Sequence, residues 1–185
     1  FVGRGGEKID AIFDHFQISL EQVVAIDIGA STGGFTDAML QRGASKVYAV
    51  DVGYNQLDHR LRVDPRVVVM EKTHVKDITP TMFDPPPVFA TFDLSFIGVR
   101  KVLQFVAAVL APSAELLILV KPQFELEREH IGKGGVVKDE ALHRQAIDAV
   151  SEEGRRLGFT VLGDTPAAIK GGKKGNQEYF VYLRR

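Results

Sequence analysis

The 185-residue sequence predicts a doubly wound α/β fold, mostly parallel with an antiparallel C-terminal strand, and three observations lead there. Strand-like and helical patterns alternate along the chain, with no internal repeat and no low-complexity tract. The strand segments are apolar throughout rather than alternating, as strands covered on both faces of a parallel sheet must be. A glycine-rich stretch follows the first strand and opens a helix, where sheets of this class bind ligands. The length suits one domain, 1–185, with residues 1–20 forming an N-terminal helix that leads into the sheet.

The elements follow in order. Glu7 to Phe16 places Ile9, Ile12, Phe13 and Phe16 on one helical face. Val23 to Ile28 is a β-branched strand, followed by the stretch Gly29 to Gly34 and a helical pattern through Phe35, Ala38, Met39 and Leu40. Gly43 stops that helix. Lys46 to Val52 and Arg66 to Met70 are the second and third strands, and Val88 to Asp93 is the fourth, after the Pro85-Pro86-Pro87 break. Val99 to Leu110 reads as helix, Leu116 to Val120 as the fifth strand and Glu140 to Leu157 as a long helix. Strands over Phe159 to Gly163 and Tyr179 to Leu183 complete the sheet.

Composition narrows the chemistry. Hydrophobic residues make up 45% of the chain, enough for a proper core, and the absence of cysteine excludes disulfides, thiolate catalysis and cysteine-ligated zinc. The five histidines are scattered without HExxH spacing, so no metal site is expected. Lys and Arg number 23 against 24 Asp and Glu, a net charge of −1 that argues against nucleic-acid binding by bulk charge alone. The balance is uneven, however. From Pro166 to Arg185, Lys170, Lys173, Lys174, Arg184 and Arg185 face Glu178 alone, and a basic loop of this kind either contacts phosphates or is simply solvated. The longest apolar passage, Val102 to Val120, is broken by Gln104, Pro112, Ser113 and Glu115, which leaves no membrane span. The chain opens at Phe1 without an initiator Met or a signal-peptide pattern, and reads as part of a longer protein.

The loop Asp27-Ile28-Gly29-Ala30-Ser31-Thr32-Gly33-Gly34-Phe35 lets backbone approach a ligand closely at a helix start. Its spacing is not G-x-G-x-x-G, so a nicotinamide dinucleotide is not the first choice. The second strand ends in Asp51, 22 residues beyond Gly29, where a carboxylate can accept both hydroxyls of an adenosine ribose. Asp27, just before the loop, can hold loop backbone or face a cationic ligand, which suits a sulfonium cofactor. The plainer reading is a tight turn with Asp51 as a capping or surface acid. Gly29 to Gly33 also fits the G-x-S-x-G nucleophile elbow with Ser31 as nucleophile, but the elbow needs earlier strands and a late histidine on a strand-end loop. The last histidine, His143, falls within a helix.

The fourth strand ends in Asp93-Leu94-Ser95-Phe96 and the fifth in Lys121-Pro122-Gln123-Phe124-Glu125. These ends are expected as neighbours across the switch crevice, bringing an acid and a lysine to one ligand; a structural ion pair is the simpler alternative. Asp84-Pro85-Pro86-Pro87 is not the D-P-P-Y signature of amino-group methylation, because that signature closes the fourth strand. A hydroxyl acceptor fits better, since a hydroxyl must lose its proton on attack.

With these blocks the chain resembles the TlyA or hemolysin A family, whose fold is similar to the FtsJ-type ribosomal RNA 2'-O-methyltransferases. The resemblance also runs through Gly3-Arg4-Gly5-Gly6-Glu7-Lys8, Val47 to Gly53 and Gly175-Asn176-Gln177-Glu178, covering essentially the whole chain. It implies a Rossmann-like sheet that binds S-adenosylmethionine, with Lys8, Asp93, Lys121 and Glu178 as the catalytic set. The cofactor would be held by Asp27, the loop Gly29, Ala30, Ser31, Thr32, Gly33, Gly34 and Phe35, by Asp51 and Val52, by Thr73, His74 and Val75 near adenine, and by Asp93. His74 departs from the family, where Asn is usual. Lys121 would take the hydroxyl proton or steer the oxygen. Ribosomal RNA or ribosomal subunits would be the partner, contacted by Arg4, Lys8, Lys133 and the Lys170 to Lys174 loop, with an S4-type RNA-binding domain upstream and a cytoplasmic location. Nothing in the sequence specifies an oligomeric state. Two other readings compete: a membrane-lytic protein, as the hemolysin label suggests, and a methyltransferase acting on a small-molecule hydroxyl.

Overall fold

The computed structural model describes residues 1–168 and 175–185. Seven strands form one sheet: β1 (Val24–Ile28), β2 (Lys46–Val50), β3 (Val67–Met70), β4 (Phe89–Phe92), β5 (Glu115–Val120), β6 (Thr160–Pro166) and β7 (Tyr179–Arg184). Their order is β3-β2-β1-β4-β5-β7-β6. The first five pair in parallel, whereas β7 runs antiparallel to both β5 and β6. The expected single antiparallel strand is therefore present.

Helices cover both faces. On one side α1 (Arg4–His15) and α2 (Gly34–Gln41) pack Ile9, Phe13, Phe35 and Met39 against Ala25, Leu117 and Phe180. On the other, α4 (Leu103–Ala107) and α6 (Glu140–Arg156) bury Leu103, Val106, Ile147 and Val150 against Ile26, Phe92, Leu116 and Val181. Consecutive strand residues point to opposite faces, so Ala25 and Ile26 feed different cores. This is why the strands read as unbroken apolar runs. Each core side chain removed from water contributes about 1.5–3 kcal/mol, which holds the layers together. Short α3 (His59–Arg62) starts where the Asp58 side chain accepts the Arg60 N–H, and α6 starts the same way with Asp139 and Ala141. A further short helix, α5 (Pro122–Glu125), follows β5 directly.

Two expectations change. The Val99 to Leu110 helix is a 3-10 turn over Val99–Lys101 followed by α4, because β-branched Val102 sits at φ −123°. The Val102 and Phe105 amides bond three residues back, to Val99 and Val102. The apolar spacing was satisfied by two short turns as well as by one helix. The second change concerns the switch point, which lies between β1 and β4 because β4 pairs directly with β1. Asp93 and Lys121 thus end adjacent strands on one side of the switch rather than facing each other across it. Among the described residues no helix is long and apolar enough to cross a membrane.

Candidate active site

The carboxyl ends of β1, β2, β4 and β5 share one edge of the sheet, and a cleft of about 600 Å³ opens there. That volume lies within the usual range for a bound small molecule. Asp51, Val52, Thr73, His74, Val75, Gly29, Ser31 and Asp93 all line it, so eight of the fourteen expected cofactor residues come together. Ile28, Val50 and Val75 give it an apolar floor, while Leu94 and Ile97 add an apolar wall beside Ser95 and Phe96.

Gly29 has φ +82°, and a Cβ there would lie 2.2 Å from the Asp93 carbonyl oxygen. Only glycine lets the exits of β1 and β4 approach this closely. The loop amides are largely spent inside the protein: Gly29 and Ala30 donate to Val50 O, and Gly33 donates to Ala30 O. Ser31 N donates to Asp51 Oδ2 at 2.7 Å, and Gly53 N donates to Asp51 Oδ1 at 2.7 Å. The loop is therefore no phosphate cradle, in keeping with the absence of a dinucleotide fingerprint. Asp51 is held rigidly by two amides, yet each carboxylate oxygen retains a lone pair for a ligand hydroxyl.

Six expected cofactor residues do not line the cleft. Ala30, Gly33, Gly34 and Phe35 are buried, and Thr32 is exposed beside α1. Asp27 is fully buried and holds neither loop backbone nor cleft; it accepts hydrogen bonds from Thr36 Oγ1 at 2.7 Å and Thr91 Oγ1 at 3.3 Å. Burial pushes its carboxyl up to about 7, the Thr36 bond opposes this, and the nearby Asp93 charge adds to the rise. Asp27 thus supports the loop from beneath by tying β1 to α2 and β4.

Ser31 does sit in a strained turn, at φ +53°. No histidine among the described residues bonds it, and His143 is occupied by Tyr179 Oη at 2.9 Å and Val137 O at 2.7 Å. The nucleophile elbow finds no partner there.

The four residues of the expected catalytic set form two ion pairs. Lys121 Nζ lies 2.5 Å from Asp93 Oδ1 and donates to Ser95 Oγ at 3.3 Å. Lys8 Nζ lies 3.0 Å from Glu178 Oε1. Lys121 and Glu178 are 9% and 3% exposed, burial that an unpaired charge would not tolerate. Strand β7 brings the pairs together: Val120 is opposite Tyr179, so the register continued by one step sets Lys121 beside Glu178. Meanwhile α1, bearing Lys8, packs along α2 through Gly5 and Gly6 against Gly34.

Several residues at the site were not singled out from the sequence. Ser95 and Gln56 line the cleft or touch Lys121. Phe96 is 91% exposed at φ +68°, and its ring lies 5.4 Å from that of Phe124. Turn propensity offers no warning of a phenylalanine in the left-handed region. Of the expected RNA contacts, Arg4 is exposed at the start of α1. Lys170, Lys173 and Lys174 lie outside the described residues, as does the side chain of Lys133. One group able to share a metal ion occurs among the described residues, Glu127 with Glu129 and His130, and none of the three lines the cleft.

Comparison with known proteins agrees with this geometry. All of residues 1–185 match the family described as FtsJ-like methyltransferase. YqxC of Bacillus subtilis is 44% identical over 184 residues, which are 99% of this chain but 65% of the relative. The 16S/23S rRNA (cytidine-2'-O)-methyltransferase TlyA of Mycobacterium tuberculosis is 41% identical, covering 100% of this chain and 68% of that protein. A solved structure from Streptococcus thermophilus superimposes with a TM-score of 0.96 at 43% identity, over 100% of this chain and 67% of the other. The chain therefore spans about two thirds of the length of these relatives.

Proposed function

The chain belongs to the FtsJ-like methyltransferase family, and from that membership we propose that it uses S-adenosylmethionine to methylate the 2'-hydroxyl of a cytidine ribose in ribosomal RNA. The observation that carries the reading is the buried Lys121, paired with Asp93 at the mouth of a cofactor-sized cleft. A methyl acceptor with a hydroxyl needs a group that receives its proton or steers its oxygen, and the ion-paired Lys121 supports that reading.

The residues present fit the cofactor. Asp51, preset by Ser31 N and Gly53 N, would accept the ribose hydroxyls, and Val52, Thr73, His74 and Val75 would line the adenine side of the cleft. When bound, S-adenosylmethionine supplies an electrophilic methyl group on a sulfonium. The chain's own residues do the rest. Lys121 would take the 2'-hydroxyl proton or steer the oxygen, and Asp93, ion-paired with it, would orient the ammonium. Ser95 Oγ restrains Nζ from a second direction. The Lys8 and Glu178 pair closes the other side of this arrangement and keeps the local charge balanced. Phe96 presents an exposed aromatic face beside the reacting groups, a surface on which an unstacked nucleobase packs.

Arg4, Lys8, Lys133 and the Lys170, Lys173 and Lys174 segment contact RNA phosphates in this reading. So few cations give weak binding that salt reverses. An S4-type RNA-binding domain upstream supplies further affinity, and the protein works in the cytoplasm, where ribosomes and the cofactor meet. The test is methyl transfer to purified ribosomal subunits followed by mapping of the modified nucleotide. Lys121→Ala is expected to retain cofactor affinity and lose about 10²–10⁴ in rate, the usual worth of a general base. Full 2'-O-methylation by that variant removes Lys121 from the mechanism.

A further inference from the structure

The segment from Asp93 to Val99 carries Asp93, Ser95 and Phe96, yet it has almost no hydrogen bonding of its own. At its near end the Asp93 amide donates to Ile28 O. Among the described residues, the amides of Leu94, Ser95, Phe96, Ile97 and Gly98 donate no hydrogen bond to backbone or side chain. Phe96 lies in the left-handed region, a conformation that persists only where the surroundings impose it. Leu94 and Ile97 pack against the core, and the far end of the loop is fixed where buried Val99 meets Glu125. Its Oε1 accepts the Val99 amide at 2.5 Å, and its Oε2 accepts Arg100 Nε at 3.2 Å. Arg100 Nη2 returns a bond to the Glu125 carbonyl at 2.6 Å. Gly98 is packed so tightly that a Cβ would lie 2.9 Å from Glu125 Oε2 and 3.1 Å from Phe124 O.

We infer that Glu125 is a positioning residue: its buried carboxylate clasps the Asp93 loop to the turn that begins at Lys121, and so sets how Asp93, Ser95 and Phe96 meet Lys121. The inference rests on the proposed role of those residues in methyl transfer. Glu125 follows Lys121 by four residues, one helical turn, so α5 is a rigid link of a single turn between the clasp and the lysine. The two segments are then joined at four points: the Lys121 ion pair with Asp93, the Lys121 bond to Ser95 Oγ, the Phe96 and Phe124 rings, and the Glu125 carboxylate. Without the last, the other three would have to hold a loop whose own amides, from Leu94 to Gly98, donate no hydrogen bonds among the described residues. The carboxylate is 4% exposed, and burial raises its pKa, while the Val99 amide and Arg100 act in the opposite direction. A charge kept so far from water, with the Val99 amide and Arg100 Nε arranged around it, is costly unless the arrangement is itself useful.

The test compares Glu125→Gln, Arg100→Gln and the double variant with wild type. Glutamine keeps the shape and can still accept the Val99 amide, but it presents an NH₂ to Arg100. Expected for Glu125→Gln is a kcat about tenfold or more lower, with KM for ribosomal subunits and cofactor Kd each within about twofold, the pattern of misplaced catalytic groups. Amide hydrogen exchange over residues 93–100 is expected to quicken about tenfold, reporting the clasp without any substrate. The double variant should be no slower than Glu125→Gln, because the two residues act as one device. Should Glu125→Gln fold poorly, Arg100→Gln alone carries the comparison, since Arg100 is the exposed half. A lowered melting temperature with unchanged kcat and unchanged exchange overturns the inference in favour of a stabilising ion pair. If wild type transfers no methyl group to ribosomal RNA, the proposed function fails, and the exchange measurement alone decides whether the clasp exists.

Discussion

Asp27 offers the sharpest test of how the site is supported. Its carboxylate is completely enclosed and, among the described residues, is held by Thr36 and Thr91 with no cationic partner. Its folded pKa of about 7 lies some three units above the ordinary value of 3.8. At about 1.4 kcal/mol per unit, the folded state loses roughly 4 kcal/mol at pH 8.5 by having to keep Asp27 ionised. The sign follows from proton uptake. Between pH 3.8 and 7 the folded protein holds the Asp27 proton and the unfolded chain does not, so this group's contribution becomes more favourable as pH falls through 7. Near pH 5 the loss is only about 2 kcal/mol. Asp27→Asn removes the titration and keeps both hydrogen bonds, with Oδ1 accepting from one threonine and Nδ2 donating to the other. Thermal or urea unfolding of both proteins from pH 5 to 8.5 should show the variant more stable, with an advantage that grows by about 2–3 kcal/mol, or roughly 5–10 °C, across the range. A stability difference independent of pH, or a variant less stable at pH 8.5, refutes the reasoning that Asp27 is an unpaired buried acid.

Two further outcomes follow from the same edge of the sheet. Asp51→Ala deletes the acceptor of both Ser31 N and Gly53 N, so titration calorimetry should find S-adenosylmethionine bound about tenfold to a hundredfold more weakly; unchanged affinity would detach Asp51 from the cofactor. Gly33→Ala forces a side chain into φ +104° with its Cβ 2.2 Å from Leu61 Cδ1, and should cost about 2–4 kcal/mol. A melting temperature within 2 °C of wild type would show that the turn relaxes freely.

The parallel part of the fold was legible because burial on both faces writes itself into each strand, and Asp51, Asp93 and Lys121 were legible because they terminate such strands. Asp27 was not: a carboxylate at the end of a strand looks the same in sequence whether it faces a ligand or two threonines, and Thr36 and Thr91 are 9 and 64 residues away. Lys8 and Glu178 carried no signal of their own, being 170 residues apart, and only family resemblance joined them. Phe96 and Glu125 stood inside quoted motifs, but their work depends on a loop geometry that local propensity does not encode. The helix expected from Val99 to Leu110 failed for a related reason, since spacing of apolar residues does not reveal where Val102 leaves helical φ.

The ion pair between Lys8 and Glu178 has a kinetic consequence. It joins the first helix to the residue before the last strand across 170 residues, so closing it carries a large loop-entropy cost. Strand β7 must also insert between β5 and β6 before Glu178 arrives beside Lys121. A chain in which β7 has not yet paired therefore lacks half of the charged quartet. On the function proposed above, such a chain would transfer no methyl group, and activity would report closure of the sheet.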